Sequence, residues 1–197
     1  LSSIHFDEMA LLYLANSGTG VGGARPKALV HDEEFAYIAK FNRPQQDSYN
    51  NARVEWACLK MAQSAGIIMG NGLVRSGVND REVILLERFD ILDSGQRCHL
   101  VSVNALLKEP DSQGDRGQVF RYNNIHELLQ RYSVRIEQDL KQLLIRMLFN
   151  RAINNIDDHE RNFSLINEGK GYYLSPAYDL VTSLTRGEYH AAGFNHL

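Results

Sequence analysis

The chain has 197 residues, of which 44% are hydrophobic and 23% charged, and its formal net charge is −3. These values are ordinary for a soluble globular protein of one large or two modest domains, and they carry no whole-chain signature of nucleic-acid binding. We expect no membrane segment, since no apolar run reaches roughly 18 residues, and no signal peptide, since Asp7 and Glu8 interrupt the first apolar residues.

The first half of the chain is predicted to be mixed α/β. Glycine density indicates a loop, apolar and aromatic runs indicate strands, and apolar residues at helical spacing before Gly66 indicate a helix. In chain order the predicted elements are a short helix at 4–15, a glycine-rich loop at 17–27, a strand at 35–41, a helix at 51–65, and strands at 82–89 and 97–103. The predicted inner face of the second helix consists of Val54, Ala57, Cys58, Met61 and Ala62.

The second half is predicted to be mainly helical. A polar loop at 112–117 precedes a long helical region at 125–153, which is expected to break near Ser133. Two short strands, 163–166 and 172–174, flank the sequence Asn-Glu-Gly-Lys-Gly, which is a strong signal for a β-hairpin. The predicted inner side of the last helical stretch consists of Leu143, Leu144, Met147, Leu148 and Ala152.

Three polar residues around this hairpin indicate phosphoryl-transfer chemistry. Asp157 lies five positions before Asn162, and Asp179 follows the second strand. Because a hairpin returns the chain to its starting end, Asn162 and Asp179 are expected to share one Mg²⁺ on nucleotide phosphates, while Asp157 meets the acceptor hydroxyl. The spacing alone is a weak signal, since Asp157 or Asp158 and Asn162 are equally typical of an ordinary turn.

A glycine-rich loop lies far upstream of these residues. Gly20, Gly22 and Gly23 allow close backbone approach, and their N–H groups are suited to phosphate oxygens. No Gly-Lys-Ser/Thr follows, so this is not a Walker loop, and the dinucleotide-binding fingerprint is not matched either. Taken alone, such a loop is more often a flexible surface segment, and Lys27 is more often a surface residue than a phosphate ligand.

Two further features complete an ordered set. Lys40 ends a predicted strand and Glu55 lies on the next helix, which is the lysine–glutamate arrangement that positions nucleotide phosphates in kinases. The strand end at 87–90 is suited to an adenine edge, with Phe89 on the ring. Each feature alone is explained by surface charge or a core Phe, but their order is that of a bilobal phosphotransferase.

The motifs also resemble those of a known family, the HipA-type serine/threonine kinases, which are toxins of bacterial toxin–antitoxin systems. The similar motifs are Gly22-Gly23-Ala24-Arg25-Pro26-Lys27, Glu87-Arg88-Phe89-Asp90, Asp157-x-His159-x-x-Asn162-Phe163-Ser164 and Pro176-x-Tyr178-Asp179. The resemblance implies an α+β, bilobal protein-kinase-like fold, with a nucleotide-binding N-terminal lobe at 1–90 and a mainly helical C-terminal lobe at 91–197. The chain is interpreted as a fragment of a longer one.

The resemblance implies roles for these residues in an ATP- and Mg²⁺-dependent reaction. Asp157 is expected to be the catalytic base, and Asn162 and Asp179 are expected to bind Mg²⁺. The residues implied to contact ATP are Gly22, Gly23, Ala24, Arg25, Pro26, Lys27 and Lys40 at the phosphates, Glu87, Arg88 and Phe89 at the adenine, and His159 and Tyr178 beside the nucleotide.

The resemblance also implies partners and one departure. The family phosphorylates proteins that include aminoacyl-tRNA synthetases, and a DNA-binding HipB-type antitoxin restrains its members; we expect no direct nucleic-acid contact by this chain. Many members carry an autophosphorylated serine where this chain has Gly20, so self-inactivation is expected to be absent or moved to Thr19, with Ser17 also nearby. Cys58 and Cys98 have no metal-binding spacing and favour a reduced, cytoplasmic setting.

Four alternatives remain at the level of sequence. The first is a nucleotide-binding pseudokinase or an inactive fragment, and the second is a phosphotransferase that acts on a small molecule. The third is a metal-dependent nuclease, and the fourth is an interaction module. The nuclease would use Asp157, Asp158 and His159, with Asp179 as a further ligand. The interaction module would use basic residues of the helical region 125–153, namely Arg131, Arg135, Lys141 and Arg146, although such charge usually faces water.

Overall fold

The computed structural model describes residues 27–31, 35–42, 47–76, 82–108 and 121–184. The chain divides into two compact units. The first contains the described residues up to Leu59 together with Gly70–Arg88, and the second contains Lys60–Met69 and the described residues from Phe89 onward. The predicted helix at 4–15, residues 17–26 of the glycine-rich loop and the polar loop at 112–117 lie outside the described residues.

The first unit is built on an antiparallel four-stranded sheet with the order β1-β2-β4-β3. Its strands are β1 (Lys27–His31), β2 (Ala36–Phe41), β3 (Gly72–Ser76) and β4 (Glu82–Glu87). Successive strand residues point to opposite faces, and Val83, Ile84 and Leu85 of β4 are all buried, so both faces of the sheet are covered at this strand. The predictions of β2 and β4 are confirmed, while β1 and β3 were missed.

Helix α1 (Asn51–Ser64) begins and ends with clear signals. Asn50 caps its start, because its side-chain oxygen accepts a hydrogen bond from the backbone N–H of Arg53 at 3.2 Å. Gly66 ends it with a φ of +82°, a value that glycine adopts without steric cost. Across this glycine the Ile67 N–H donates to the Ala62 carbonyl at 3.0 Å. The predicted helix and its glycine stop are confirmed.

The buried face of α1 differs in part from the prediction. Cys58 and Ala62 are buried as expected, but Ala57 is exposed and the Met61 side chain is 49% exposed. Leu59 is buried instead, and it lies against the sheet so closely that a Cβ atom at Gly72 would be 2.9 Å from its Cδ1. The close approach at a residue without a side chain therefore decides which helix face is covered in the first unit.

The second unit combines a small sheet with three helices. The strands β5 (His99–Ser102), β6 (Ser164–Asn167) and β7 (Tyr172–Leu174) pair antiparallel in that order. The helices are α2 (Val103–Leu107), α3 (Tyr122–Tyr132) and α4 (Ile136–Ala152). Their shared core consists of Val103, Tyr122, Ile125, Leu129, Leu143, Phe163, Leu165 and Leu174. The described chain is thus a mixed α/β protein.

Two predictions in this unit are confirmed, and one predicted strand is shorter than expected. The hairpin β6–β7 is present, and the helical region does break at Ser133, whose hydroxyl accepts from the Arg135 N–H at 3.0 Å and donates to Asp139 at 2.7 Å. The strand predicted at 97–103 ends at Ser102 instead, because the Ser102 hydroxyl accepts from the Ala105 N–H at 3.2 Å and caps α2.

The predicted inner side of α4 is wrong in part. Leu143 is buried, but Leu144 and Leu148 are 48% and 55% exposed and Ala152 is exposed as well. The helix instead buries a mainly polar face, made of Asp139, Gln142, Leu143, Arg146 and Asn150. Each of these polar side chains makes at least one hydrogen bond, although Nε and Nη1 of Arg146 are buried without a hydrogen-bond partner among the described residues.

Backbone groups of the second unit supply several of those partners. Asp139 accepts from the Leu174 N–H at 2.7 Å, and the Arg146 guanidinium donates to the Ser175 carbonyl at 2.6 Å. Gln142 accepts from the Ile68 N–H at 2.9 Å. Arg146 is only 2% exposed, so it does not belong to the surface cations that the interaction-module alternative required. Among the described helices, none is long and apolar enough to cross a membrane.

Candidate active site

The loop that follows α4 holds Asp157 by its backbone. The side-chain amide of Asn162 donates to the Asp157 carbonyl at 2.7 Å, and the side-chain oxygen of Asn155 accepts from the Asp157 N–H at 3.2 Å. The Asp157 carboxylate itself projects outward, with 89% of its side chain exposed. The five-residue spacing therefore has a physical meaning: it closes the loop through one hydrogen bond and leaves the carboxylate accessible to a second molecule.

His159 lies beside that carboxylate. Its Nε2 is 3.6 Å from Asp157 Oδ1, a contact that is an ion pair only when the imidazole is protonated. Its Nδ1 is buried and makes no hydrogen bond within the part of the chain that the structure describes. The structure thus brings together two of the predicted site residues, His159 and Asp157.

The segment that carries Asp179 is anchored by a backbone hydrogen bond. The Ala177 N–H donates to the Ile68 carbonyl at 2.8 Å. Asp179 has a φ of +55°, a left-handed conformation that few residues other than glycine adopt, although Asp is one that tolerates it. Backbone outliers of this kind are concentrated at functional sites. This one is at a residue that is predicted from the sequence to bind Mg²⁺.

Tyr178 connects the Asp179 segment to the turn that contains Asn162. Its hydroxyl donates to the Arg161 carbonyl at 3.0 Å and lies 2.6 Å from the Ser164 hydroxyl. Asn162 closes the 3-10 turn Glu160–Asn162, so the residues next to both predicted metal ligands are in direct contact. The structure contains the hairpin from which the proximity of Asn162 and Asp179 was predicted.

The Tyr178 ring also meets Phe89. The two rings stack with centroids 5.9 Å apart and an interplanar angle of 24°. Burial raises the pKa of Tyr178 to about 12, the Asp179 charge adds to that effect, and the hydrogen bond from Ser164 opposes it. The Tyr178 hydroxyl is therefore protonated at neutral pH, which keeps it a donor to Arg161.

In the first unit, Lys40 and Glu55 form an ion pair. Lys40 Nζ lies 2.5 Å from Glu55 Oε1, and the two side chains are 10% and 13% exposed. Lys40 is on β2 and Glu55 is on α1, so strand and helix together fix the ammonium group. The neighbouring strand places Lys27 opposite Lys40 in the register. The lysine–glutamate pairing predicted from the sequence is present, and its role toward phosphate stays a prediction.

The predicted adenine segment is held at its first two residues by one backbone and one side-chain hydrogen bond within the first unit. The Arg88 N–H donates to the Ala36 carbonyl at 2.9 Å, and the Glu87 carboxylate accepts from Asn71 at 3.0 Å. A Cβ atom at Gly70 would be 2.8 Å from the Glu87 carbonyl oxygen, so only glycine fits there. The remaining predicted phosphate residues, Gly22, Gly23, Ala24, Arg25 and Pro26, lie outside the described residues.

A polar network that sequence reasoning missed lies behind the Asp157 loop. Asp158 is 8% exposed, and its carboxylate accepts a hydrogen bond from the hydroxyl of Tyr122, a residue of α3. Asn150 of α4 and Asn155 extend this network toward Asp157. The partners are up to 36 residues apart in sequence, so no local spacing could have revealed them. The buried Asp158 and the exposed Asp157 also lack the common surroundings that the nuclease alternative requires of its ligands.

The donor atoms near the hairpin suit Mg²⁺ on a nucleotide. Within the described residues, no group of three or more His, Cys, Asp or Glu side chains is placed to hold a metal ion by itself. Mg²⁺ at nucleotide sites binds through one or two protein oxygen ligands, the substrate phosphates and water. The Asn162 amide uses its nitrogen for Asp157, so that bond does not consume its oxygen, and Asp179 adds a carboxylate. These two residues fit the ion.

Comparison with known proteins decides the family. The family model described as the HipA-like C-terminal domain matches residues 19–196. The chain belongs to this HipA-like family. The toxin YjjJ of Escherichia coli is 29% identical over 192 residues, which cover 90% of this chain and 41% of the relative. The putative kinase Y4mE of Sinorhizobium fredii is 29% identical over 133 residues, which cover 64% of this chain and 31% of the relative.

Two solved structures have a fold similar to that of this HipA-like chain. HipA of Shewanella oneidensis, in a complex with HipB and its operator DNA, matches 85% of this chain with a TM-score of 0.60 and 23% identity. The proinflammatory kinase CtkA of Helicobacter pylori matches 84% with a TM-score of 0.63 and 20% identity. The fold is therefore kinase-like. The chain spans 31% and 41% of the two curated relatives, and 44% and 56% of the two structural ones.

Proposed function

We propose that this HipA-like chain transfers the γ-phosphoryl group of Mg²⁺-bound ATP to a serine or threonine hydroxyl of a protein. The observation that carries the proposal is the arrangement at the β6–β7 hairpin. There the Asp157 carboxylate is exposed on a loop closed by Asn162, and Tyr178 ties the segment of Asp179 to the same turn. Family membership supports kinase chemistry, and this arrangement supplies the groups that such chemistry needs.

Asp157 would orient the acceptor hydroxyl and accept its proton. Its carboxylate is accessible, while its backbone is fixed at both the N–H and the carbonyl. A carboxylate in that position acts mainly by placing the nucleophile, because phosphoryl transfer depends on positioning and charge stabilisation more than on covalent chemistry. Asn162 and Asp179 would hold Mg²⁺, which when bound neutralises negative charge on the phosphates.

Lys40 would bind nucleotide phosphate oxygens in the first unit. The Glu55 carboxylate, 2.5 Å away, holds the ammonium in a fixed direction and offsets the cost of its burial. Lys27, Arg25 and the glycines before them would add donors to the phosphates, and Glu87 and Arg88 would face the adenine with Phe89. His159 would stand beside the nucleotide next to Asp157.

Family membership supports a proposal for the protein target and the restraining partner. The relatives include a toxin and a HipA found with HipB and operator DNA. We propose that the complete protein is restrained by a HipB-like antitoxin and acts on a protein of the translation machinery, of which an aminoacyl-tRNA synthetase is the first candidate. Acceptor choice depends on surfaces outside the motifs.

The proposal is tested by incubating the protein with Mg²⁺ and γ-labelled ATP, alone and with bacterial lysate. We expect label on serine or threonine of a lysate protein, or on Thr19 of the chain itself. Asp157→Asn should remove this label, and Glu137→Gln, at an exposed position on α4, is its matched control and should label as the wild type does.

Other outcomes separate the alternatives. ATP binding without label in any sample would identify a pseudokinase or an inactive fragment, and the two are told apart by repeating the assay on the complete gene product. Label found only in small molecules would make the chain a small-molecule phosphotransferase. DNA cleavage that needs Mg²⁺ but no ATP would favour the nuclease and contradict the proposal.

A further inference from the structure

A buried hydrogen-bond network behind the exposed loop suggests a role that the family motifs do not assign. We infer that Tyr122 and Asp158 form a positioning pair which, with Asn150 and Asn155, sets the backbone orientation of Asp157. The inference rests on the proposed function, because its consequence is the placement of the residue that meets the acceptor hydroxyl. None of these four side chains would touch ATP or the acceptor; each acts through Asp157.

The network runs without interruption from two helices to the loop. The Tyr122 hydroxyl donates to Asp158 Oδ2, and the Asn150 amide donates to the Tyr122 hydroxyl oxygen at 3.4 Å. The Asn150 side-chain oxygen accepts from the Asn155 amide at 3.0 Å. The Asn155 side-chain oxygen in turn accepts from the Asp157 N–H at 3.2 Å. The network is thus connected to Asp157 in two ways: covalently through the next residue, Asp158, and by the hydrogen bond to Asn155.

The helices make this network a rigid support. Tyr122 is the first residue of α3 and Asn150 lies in the last turn of α4. Both side chains are fully buried, and Asn155 is 2% exposed. The Asn155 N–H also donates to the Asn150 carbonyl at 2.8 Å, which fixes the chain as it leaves α4. Groups held by two helices transmit their geometry more faithfully than groups on a loop alone.

Tyr122 contacts both ends of the catalytic motif. Its hydroxyl bonds Asp158 at the start of the motif, and its ring meets the Phe163 ring edge-on, with centroids 5.7 Å apart and an interplanar angle of 80°. Phe163 directly follows Asn162, the residue that closes the loop. One side chain therefore spans the motif, so a change in its hydroxyl bond alters the loop while the ring contact is kept.

The need for such support comes from the exposure of the Asp157 side chain. With 89% of that side chain exposed, its direction is set by the backbone and not by packing. A displacement of about 1 Å in a reacting group can cost about 100-fold in rate. Burial raises the pKa of Tyr122, and the Asp158 charge adds to the effect, so the hydroxyl stays a donor at neutral pH.

The decisive variant is Tyr122→Phe, which removes the hydroxyl and keeps the ring. We expect kcat for phosphoryl transfer to fall by about 10- to 100-fold, with KM for ATP changed by less than about twofold. Asp158→Asn keeps an acceptor for the Tyr122 hydroxyl and should retain most of the activity. Tyr132→Phe, at the exposed end of the same helix, is the matched control and should behave as the wild type does.

Either of two kinetic results would overturn the inference. Unchanged kcat in Tyr122→Phe would show that the network does not position Asp157. Equal losses of kcat and of ATP affinity, accompanied by a lower unfolding temperature, would show a purely structural role. Tyr122→Phe and its control Tyr132→Phe should be assayed well below their unfolding temperatures, because a buried hydroxyl also contributes to stability.

A second measurement keeps the inference testable if the chain itself transfers no phosphate. Amide hydrogen exchange of residues 153–158 reports the order of the loop without any reaction. We expect faster exchange at these amides in Tyr122→Phe than in Tyr132→Phe, with the core of β6 unchanged. Equal exchange in the two variants would contradict the positioning role. Absence of transfer by the complete wild-type protein, by contrast, would contradict the proposed function.

Discussion

Adjacent carboxylates in the second unit have opposite surroundings, and this decides what each can do. Asp157 is open to solvent, whereas Asp158 is 8% exposed and bonded to Tyr122. An exposed carboxylate is available to an acceptor hydroxyl, while a buried one is committed to its donor. The spacing to Asn162 singled out Asp157 in the sequence, but nothing in the sequence predicted that Asp158 is buried.

The pH dependence of stability should reveal the burial of Tyr178. Its pKa is raised from 10.0 to about 12, mainly by burial. Because the folded-state value is the higher one, the stabilisation is complete below about pH 10 and is lost as the pH rises toward 12. We expect the free energy of unfolding to fall over this range, and to fall less steeply in Tyr178→Phe. Urea denaturation at several alkaline pH values measures both slopes, and equal slopes would contradict the assignment.

The candidate site was predictable where its contacts are local or follow from one element. The hydrogen bond between Asn162 and Asp157 closes a loop of five positions. The segment of Asp179 is brought back toward this loop by the β6–β7 hairpin, which the glycines of its turn predict. The pair of Lys40 and Glu55 was predictable because a strand and the next helix often face each other. The Tyr122–Asp158 bond was not, since it depends on how α3 packs.

At the scale of elements, α4 shows where apolar periodicity misleads. Its leucines predict an apolar inner side, yet Leu144 and Leu148 are exposed and Arg146 is buried. Burial lowers the pKa of Arg146 to about 10, so the guanidinium is still charged at neutral pH. Its charge interacts favourably with Asp139, and one nitrogen bonds the Ser175 carbonyl. Polar partners elsewhere in the fold, which the periodicity does not contain, decided the orientation of the helix.

The missed strands have a related explanation. β1 and β3 are the edges of the four-stranded sheet, and each has two exposed residues among five. Edge strands tolerate charged and small residues, such as Lys27 and Gly72, because one side of their backbone is unpaired within the sheet. The inner strands β2 and β4 carry the apolar runs that made them predictable.

Two glycines in the β6–β7 turn give a matched test of packing. Gly169 and Gly171 both have positive φ, at 97° and 108°. A Cβ atom at Gly171 would be 2.3 Å from Val134 Cγ1, whereas one at Gly169 would meet nothing within 4 Å. We expect Gly171→Ala to lower the free energy of unfolding by about 1–3 kcal/mol more than Gly169→Ala does. Urea denaturation measures the difference.

The packing explanation has its own internal control. Val134 is 61% exposed, so Val134→Ala alone should cost little. In the Gly171→Ala background it should restore part of the lost stability, since it removes the atom that clashes. If the two glycine variants are equally stable, backbone conformation alone limits this turn and the packing argument is wrong.

The β2–α1 ion pair gives a test of nucleotide binding. Lys40→Met removes the ammonium, and we expect ATP affinity to fall about 10-fold or more, since a charge-assisted bond to phosphate is lost. Lys60→Met, an exposed lysine on the same helix as Glu55, is the control. Calorimetric titration with Mg²⁺ and ATP measures both. ATP binding by Lys40→Met as tight as that of the wild type would remove Lys40 from the phosphate site.

At the scale of the whole molecule, the chain is one portion of a larger family architecture. The match to the toxin YjjJ includes 90% of this chain but only 41% of the relative. Under the proposed function, the described units would supply the groups for nucleotide, metal and acceptor hydroxyl, and the surfaces for target and antitoxin would lie in parts of the family architecture that this chain does not match. Catalytic chemistry and recognition would then be separable in experiments.

The central claim is that Asp157 serves transfer and not nucleotide binding. The most direct measurement compares the wild type with Asp157→Asn for both ATP affinity and the rate of phosphoryl transfer. Because the side chain is 89% exposed, the substitution should leave the fold intact. We predict unchanged ATP affinity and a transfer rate lowered by about 100-fold or more. Transfer by Asp157→Asn at the wild-type rate would contradict the account.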